Sequence, residues 1–125
     1  MGGDQLFGFA MVAMGGAIGA VLRYGILQIM SPVGDINWGT FAANFIGCFL
    51  ICFIFFRFAD MGEATRVFLF IGVFGAFTTM SSVSIEMVQL STAGMAWHSF
   101  LVFLLNAIVC LGAGFLGRNV ALFSL

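Results

Sequence analysis

The amino-acid sequence predicts an all-α integral membrane protein of four transmembrane helices, the third broken near the middle of the bilayer. Three observations carry the prediction. Of 125 residues, 62% are hydrophobic and 7% charged, far from the balance of a water-soluble domain. The apolar residues gather into four runs, at about 6–30, 38–58, 67–92 and 97–122, each close to the ~20 residues a helix needs to cross hydrocarbon. Inside the third run, glycines and a string of hydroxyl residues stand where a buried helix would carry aliphatic side chains. Short turns leave no room for a soluble part, so residues 1–125 are expected to form a single membrane domain.

The first run is expected to stay in the mature chain, because MGGDQLFG lacks the positive n-region and the small-residue cleavage site of a signal peptide. It carries GGAIG (15–19), a small-residue face for helix contact, and the fourth run carries a second, GAGFLG (112–117). The second run follows the turn SPVGDIN, the third follows ADMGEATR, and the fourth opens on Trp97 and His98, placed as interfacial belt residues. None of the runs alternates polar with apolar positions, which excludes the strands of a membrane barrel. The seventeen phenylalanines read mainly as lipid-facing surface. No internal repeat relates the halves, so a symmetric pathway requires two chains.

Net charge is −1, lysine is absent and the four arginines are scattered, which removes nucleic acid as a partner. Both termini share a side with the loop bearing Arg57 and Arg66. Arg118 follows the fourth span and Arg23 lies toward the far end of the first, three against one. That bias favours termini in the cytoplasm, and it is weak enough to allow insertion in both orientations. Cys48, Cys52 and Cys110, an odd number inside apolar runs, read as small packing residues rather than a disulfide or metal framework. A small proton-coupled drug exporter needs a carboxylate in its first span, and no Asp or Glu lies between Leu6 and Met30.

Polar groups at membrane depth need partners or water. Arg23 reads equally as a snorkelling anchor and as an electropositive mouth. Asn44 and Asn106 read as interhelical hydrogen-bond formers or as part of an ion pathway; the first reading leads for Asn106, the second for Asn44. The run GVFGAFTTMSSVSIEM (72–87) holds Thr78, Thr79, Ser81, Ser82 and Ser84, five hydroxyls in seven positions, and then Glu86, the one acid within a span. Glycine costs ~1 kcal/mol against alanine in a helix, and Ser and Thr compete for backbone bonds, so a break is expected here. Freed carbonyls at two such breaks suit a monovalent cation. Hydroxyls along a strip suit a small, strongly hydrated anion. The alternative is that each hydroxyl bonds back to its own helix. Glu86 reads as a pore-side group or an interfacial helix end.

Three strings together, GGAIGAVLRY (15–24), WGTFAANFIG (38–47) and GVFGAFTTMSSVSIE (72–86), resemble in order, spacing and placement the Fluc (CrcB) family of small dual-topology fluoride channels. The resemblance covers nearly the whole chain. It implies an antiparallel homodimer in the bacterial inner membrane, with two pores lined by both chains, that exports fluoride passively without enzymatic chemistry or an organic cofactor. It further implies a structural sodium ion held by the carbonyls of Gly75 and Thr78. The family's arginine falls on Arg23, its threonine on Thr40 and its pore asparagine on Asn44. Its hydroxyl track falls on Thr79, Ser81, Ser82 and Ser84 with Glu86 beyond, and its fourth-span polar positions fall on Asn106 and Cys110. Where the family pattern reads TTFSTFS, with ring edges toward the ion, this chain has Met80 and Val83. A poorly conducting subunit paired with a ring-bearing homologue is therefore a second reading, and the drug exporter a third.

Overall fold

The computed structural model describes residues 2–30 and 34–124. Four helical spans run Gly3–Ile29, Trp38–Arg57, Glu63–Thr92 and Ala96–Phe123, each long and apolar enough to cross a membrane. We label them α1 (Gly3–Ile29), α2 (Trp38–Arg57), α3 and α4 for the two pieces of the third span (residues 63–77 and Ser81–Thr92), and α5 (Ala96–Phe123). The third span begins four residues before the apolar run does, because Glu63, Ala64, Thr65 and Arg66 form its first turn at the membrane edge.

Local chemistry sets the ends. Asn37 caps α2, its Oδ1 accepting the Thr40 N–H at 3.2 Å, which supplies one of the bonds a helix start lacks. The α4–α5 turn is a Schellman motif: Gly94 N–H donates to the Ser91 carbonyl and Met95 N–H to that of Leu90. Gly94 has φ +80°, a left-handed conformation that only glycine adopts freely. At the opposite end of the bundle the arginines stack on rings, Arg57 over Phe58, Arg66 over Phe55 and Phe70, and Arg118 over Phe56. Such stacking holds a cation at the membrane edge.

Lipid competes with apolar side chains on equal terms, so close backbone approach rather than water exclusion holds the spans together. Gly15 and Gly19 of α1 are buried against α3, and a Cβ on either would run into the Phe68 or Val73 carbonyl. Gly114 and Gly117 of α5 meet α2 in the same way at Cys48, Cys52 and Phe49. Both predicted small-residue faces are thus helix contacts. The apolar core is small: Ile36, Val83, Leu90 and Val102 join the start of α2 to α4 and the first half of α5.

The third span breaks at Thr78–Met80, with Thr78 extended at φ −88°, ψ 151°. Gly72 and Gly75 stay helical. Gly72 is used for contact with Gly15 instead, so the break falls among the hydroxyl residues. Two stretches are wound as π-helix, Val67–Val73 just ahead of the break and Leu105–Val109 in α5, a winding often met at functional sites.

Candidate ion pathway at the break in the third span

A helix broken at membrane depth leaves backbone groups that lipid cannot satisfy. Side chains from two other spans satisfy them here, and a third span braces one of the two. Asn44 Oδ1 accepts the Thr79 N–H at 2.8 Å, and Asn44 Nδ2 donates back to the Thr79 carbonyl at 3.0 Å. The second Nδ2 hydrogen goes to Asn106 Oδ1 at 2.8 Å, and Asn106 Nδ2 donates to the Val102 carbonyl at 3.0 Å. Arg23 Nε donates to the Ala76 carbonyl at 3.2 Å. A cation there complements the negative C-terminal end of α3. Both Asn44 N–H hydrogens are therefore committed within the protein, and Asn44 serves as the clamp of the break. The guanidinium Nη groups of Arg23 receive no such partner among the described residues.

The hydroxyls divide into two sets. Thr78 Oγ1 and Ser84 Oγ bond back to carbonyls four residues earlier, those of Phe74 and Met80. Thr79, Ser81 and Ser82 instead bond to one another. Thr79 Oγ1 lies 2.9 Å from Ser81 Oγ, donates to Ser82 Oγ at 3.4 Å and accepts the Ser82 N–H at 3.2 Å. This cluster stands at the N-terminus of α4, the positive end of a twelve-residue helix.

Two cavities border the cluster. One of about 360 Å³ is lined by Thr40, Ser82 and Glu86 together with Asp35, Asn37 and Gln89. The other, of about 210 Å³, is lined by Asn44, Cys48, Thr78, Thr79, Met80, Asn106 and Cys110. Thr79 belongs to the second and Ser82 to the first, so the cluster stands between the two. Glu86 is buried, with Oε1 accepting the Asn37 N–H, which fixes its place on the wall of the larger cavity.

The remaining residues fall outside the cavities. Ser81 and Ser84 are exposed, as are Met80 and Gly75. Val83 points the other way, fully buried beside Ile36, Leu90 and Val102. Asn37 and Cys48 were not anticipated as site residues. Cys48 lies four residues after Asn44, on the same helix face, so the signal was present. Ser91 and Ser99 form a further unforeseen link, Ser91 Oγ donating to Ser99 Oγ and Ser99 Oγ to the Met87 carbonyl, both at 3.0 Å.

Among the described residues no hydrogen bond reaches the carbonyls of Gly75 or Thr78, so both are free to act as hard oxygen ligands. No group of three His, Cys, Asp or Glu side chains gathers among the described residues.

Residues 10–118 match the family model described as CrcB-like protein, Camphor Resistance (CrcB). Several proteins named fluoride-specific ion channel FluC are similar to this chain over most of its length. That of Salinibacter ruber is 37% identical over 119 residues, covering 91% of this chain and 89% of the relative. That of Agrobacterium fabrum is 38% identical over 124 residues, covering 92% and 99%, and that of Methanocaldococcus jannaschii is 33% identical over 114 residues, covering 90% and 92%.

Proposed function

The chain belongs to the CrcB family of multi-pass membrane proteins, and on that premise we propose that it is a subunit of a channel through which fluoride passes down its gradient. The observation that carries this reading is the hydroxyl cluster of Thr79, Ser81 and Ser82 at the start of α4, which stands between two cavities inside the membrane. A small anion loses hydration on entering such a place, and hydroxyl donors with a helix N-terminus behind them replace part of it. Arg23, with its Nη groups unengaged, adds positive potential nearby. The route runs from the cavity of Thr40 and Glu86, past Ser82 and Thr79, into the cavity of Asn44, Asn106 and Cys110. Met80 and Ser81 lie at its open side, and Ser84 continues the exposed strip. No bond is made or broken in the ion, so the protein is a channel rather than an enzyme.

The reading extends to an antiparallel homodimer. Gly75, Met80, Ser81 and Ser84 expose polar and backbone groups at a depth where lipid offers no hydrogen bonds, and a second copy inserted oppositely would cover them. The free carbonyls of Gly75 and Thr78 from two chains would then give four oxygen ligands for a structural sodium ion, whose preference for hard oxygen they fit. Fluoride-electrode efflux from liposomes holding only this chain tests the channel. Efflux should exceed that of empty liposomes and fall in Ser82→Ala and in Thr79→Val. No efflux from correctly sized parent protein refutes a homodimeric channel. Tags on the C-terminus should be reached from both sides of the membrane, and labelling from one side alone refutes the antiparallel pair.

A further inference from the structure

We propose that Cys48, Met80 and Cys110 form a binding site for a soft monovalent cation of the Cu(I) or Ag(I) class, and that an ion held there closes the route described above. The blocking half of this proposal rests on the fluoride reading; the binding half does not.

Cys48, Met80 and Cys110, three sulfur-bearing residues from three different spans, line one cavity of about 210 Å³, and no acidic residue or histidine shares it. Thiolate and thioether ligands select soft ions such as Cu(I), while hard and borderline ions favour oxygen and imidazole. The register of α2 against α5 brings the thiols together. Asn44 bonds to Asn106, Gly114 packs on Cys52 and Cys48, and Gly117 packs on Phe49 and Phe53. Residue numbers rise together along both helices, so α2 and α5 run parallel. Cys48 and Cys110 each lie four residues after one of the bonded amides, and therefore at matching depth on facing helices. Cys52 shows what a packing cysteine looks like in the same interface. Its Sγ stands 3.1 Å from the place of a Gly114 Cβ, and it lines a separate apolar cleft with Phe56, Leu111 and Phe115.

The chemistry is a ligand exchange without redox change. One thiol S–H bond breaks, an S–metal bond forms and the proton leaves to water. The second thiol and the Met80 thioether each donate a lone pair. The bound ion then occupies the space that Asn44, Thr79 and Asn106 border, and nothing else passes.

Silver nitrate in chloride-free buffer is the probe, applied to Cys52→Ser protein so that two thiols per subunit are left. After desalting, silver should be found at one per subunit with both thiols protected from a thiol reagent. Fluoride efflux, read against the same sample without silver, should fall by about tenfold or more and recover with excess dithiothreitol. Adding Cys48→Ser should weaken silver binding by about tenfold to a hundredfold and abolish the block, and Met80→Leu should weaken binding with both thiols intact. Two silver ions per subunit, one on each independent thiol, would overturn the site. Unchanged block after Cys48→Ser would do the same. Silver bound at one per subunit with efflux unaffected overturns the closure. Should the silver-free protein conduct no fluoride, the channel reading fails while the silver count still decides the site.

Discussion

Replacing Asn44 by alanine removes three hydrogen bonds at once, two to the Thr79 backbone and one to Asn106 Oδ1. Its side chain is 7% exposed, so water does not simply take over. A hydrogen bond contributes a net ~0.6 kcal/mol on average inside a membrane and up to ~1.5 kcal/mol in a protein interior, which puts the loss of three at about 2 to 4.5 kcal/mol. That is a roughly 30- to 2000-fold shift in the unfolding equilibrium. The loss is concentrated at residues 78–80, because no other side chain reaches the Thr79 N–H or carbonyl among the described residues. Asn44→Asp separates shape from donation. It keeps the acceptor for the Thr79 N–H but faces the Thr79 and Asn106 oxygens with a carboxylate in place of two N–H donors, and it should be worse than alanine. Unfolding in graded detergent denaturant measures the stability, and hydrogen exchange localises it. Efflux should fall in both variants. A stability change below ~0.5 kcal/mol in Asn44→Ala, with amide exchange unchanged at Thr79, would refute the clamp and return Asn44 to a purely ion-facing role.

Arg23→Ala should lower both stability and efflux, since it removes the bond to the Ala76 carbonyl and the positive charge beside the break; Arg23→Lys should restore more of the charge effect than of the stability. Gly19→Val should prevent α1 from seating on α3, because a side chain there meets the Val73 carbonyl, and loss of correctly sized protein on a column is the readout. Met80→Phe should be tolerated within the subunit, where Met80 is 61% exposed, whereas Val83→Phe at 0% exposure should cost about 1 to 3 kcal/mol by overpacking. Efflux of the single Met80 variant is thus the fair test of whether a ring at that position speeds conduction. Glu86→Gln keeps an acceptor for the Asn37 N–H while removing a negative charge from the cavity an anion enters, so efflux should rise or hold, and a tenfold fall would give Glu86 an active part in conduction.

Much of the site was legible because membrane depth makes polar residues conspicuous. Asn44, Asn106, Arg23 and the hydroxyl run stand out against apolar neighbours, and all gather at one break. What each does was not legible. Asn44 looked like an ion ligand until its two donors were found spent on Thr79 and Asn106. Thr78 and Ser84 follow the local alternative of bonding back to their own helix, while Thr79, Ser81 and Ser82 do not. Spacing along the chain does not distinguish these, since all five hydroxyls lie within two helical turns. Val83 and Met80 occupy equivalent places in the family pattern, yet one faces the core and the other the open surface, because Val83 sits inside the restarted helix while Met80 lies ahead of it, in the break.

The sequence by itself determined the four spans, their helical character and the glycine faces through which helices approach. Those follow from hydrophobic run length and side-chain size, properties read locally along the chain. Only the tertiary structure decided where the third span breaks and what holds it open. The glycines looked weakest, yet Gly72 is taken up by contact with Gly15, and the backbone parts company at Thr78–Met80. The reason is that a break inside a membrane survives only where other spans supply its missing hydrogen bonds. Asn44 and Arg23 supply them there and Asn106 holds Asn44 in place, from three helices that no local pattern connects.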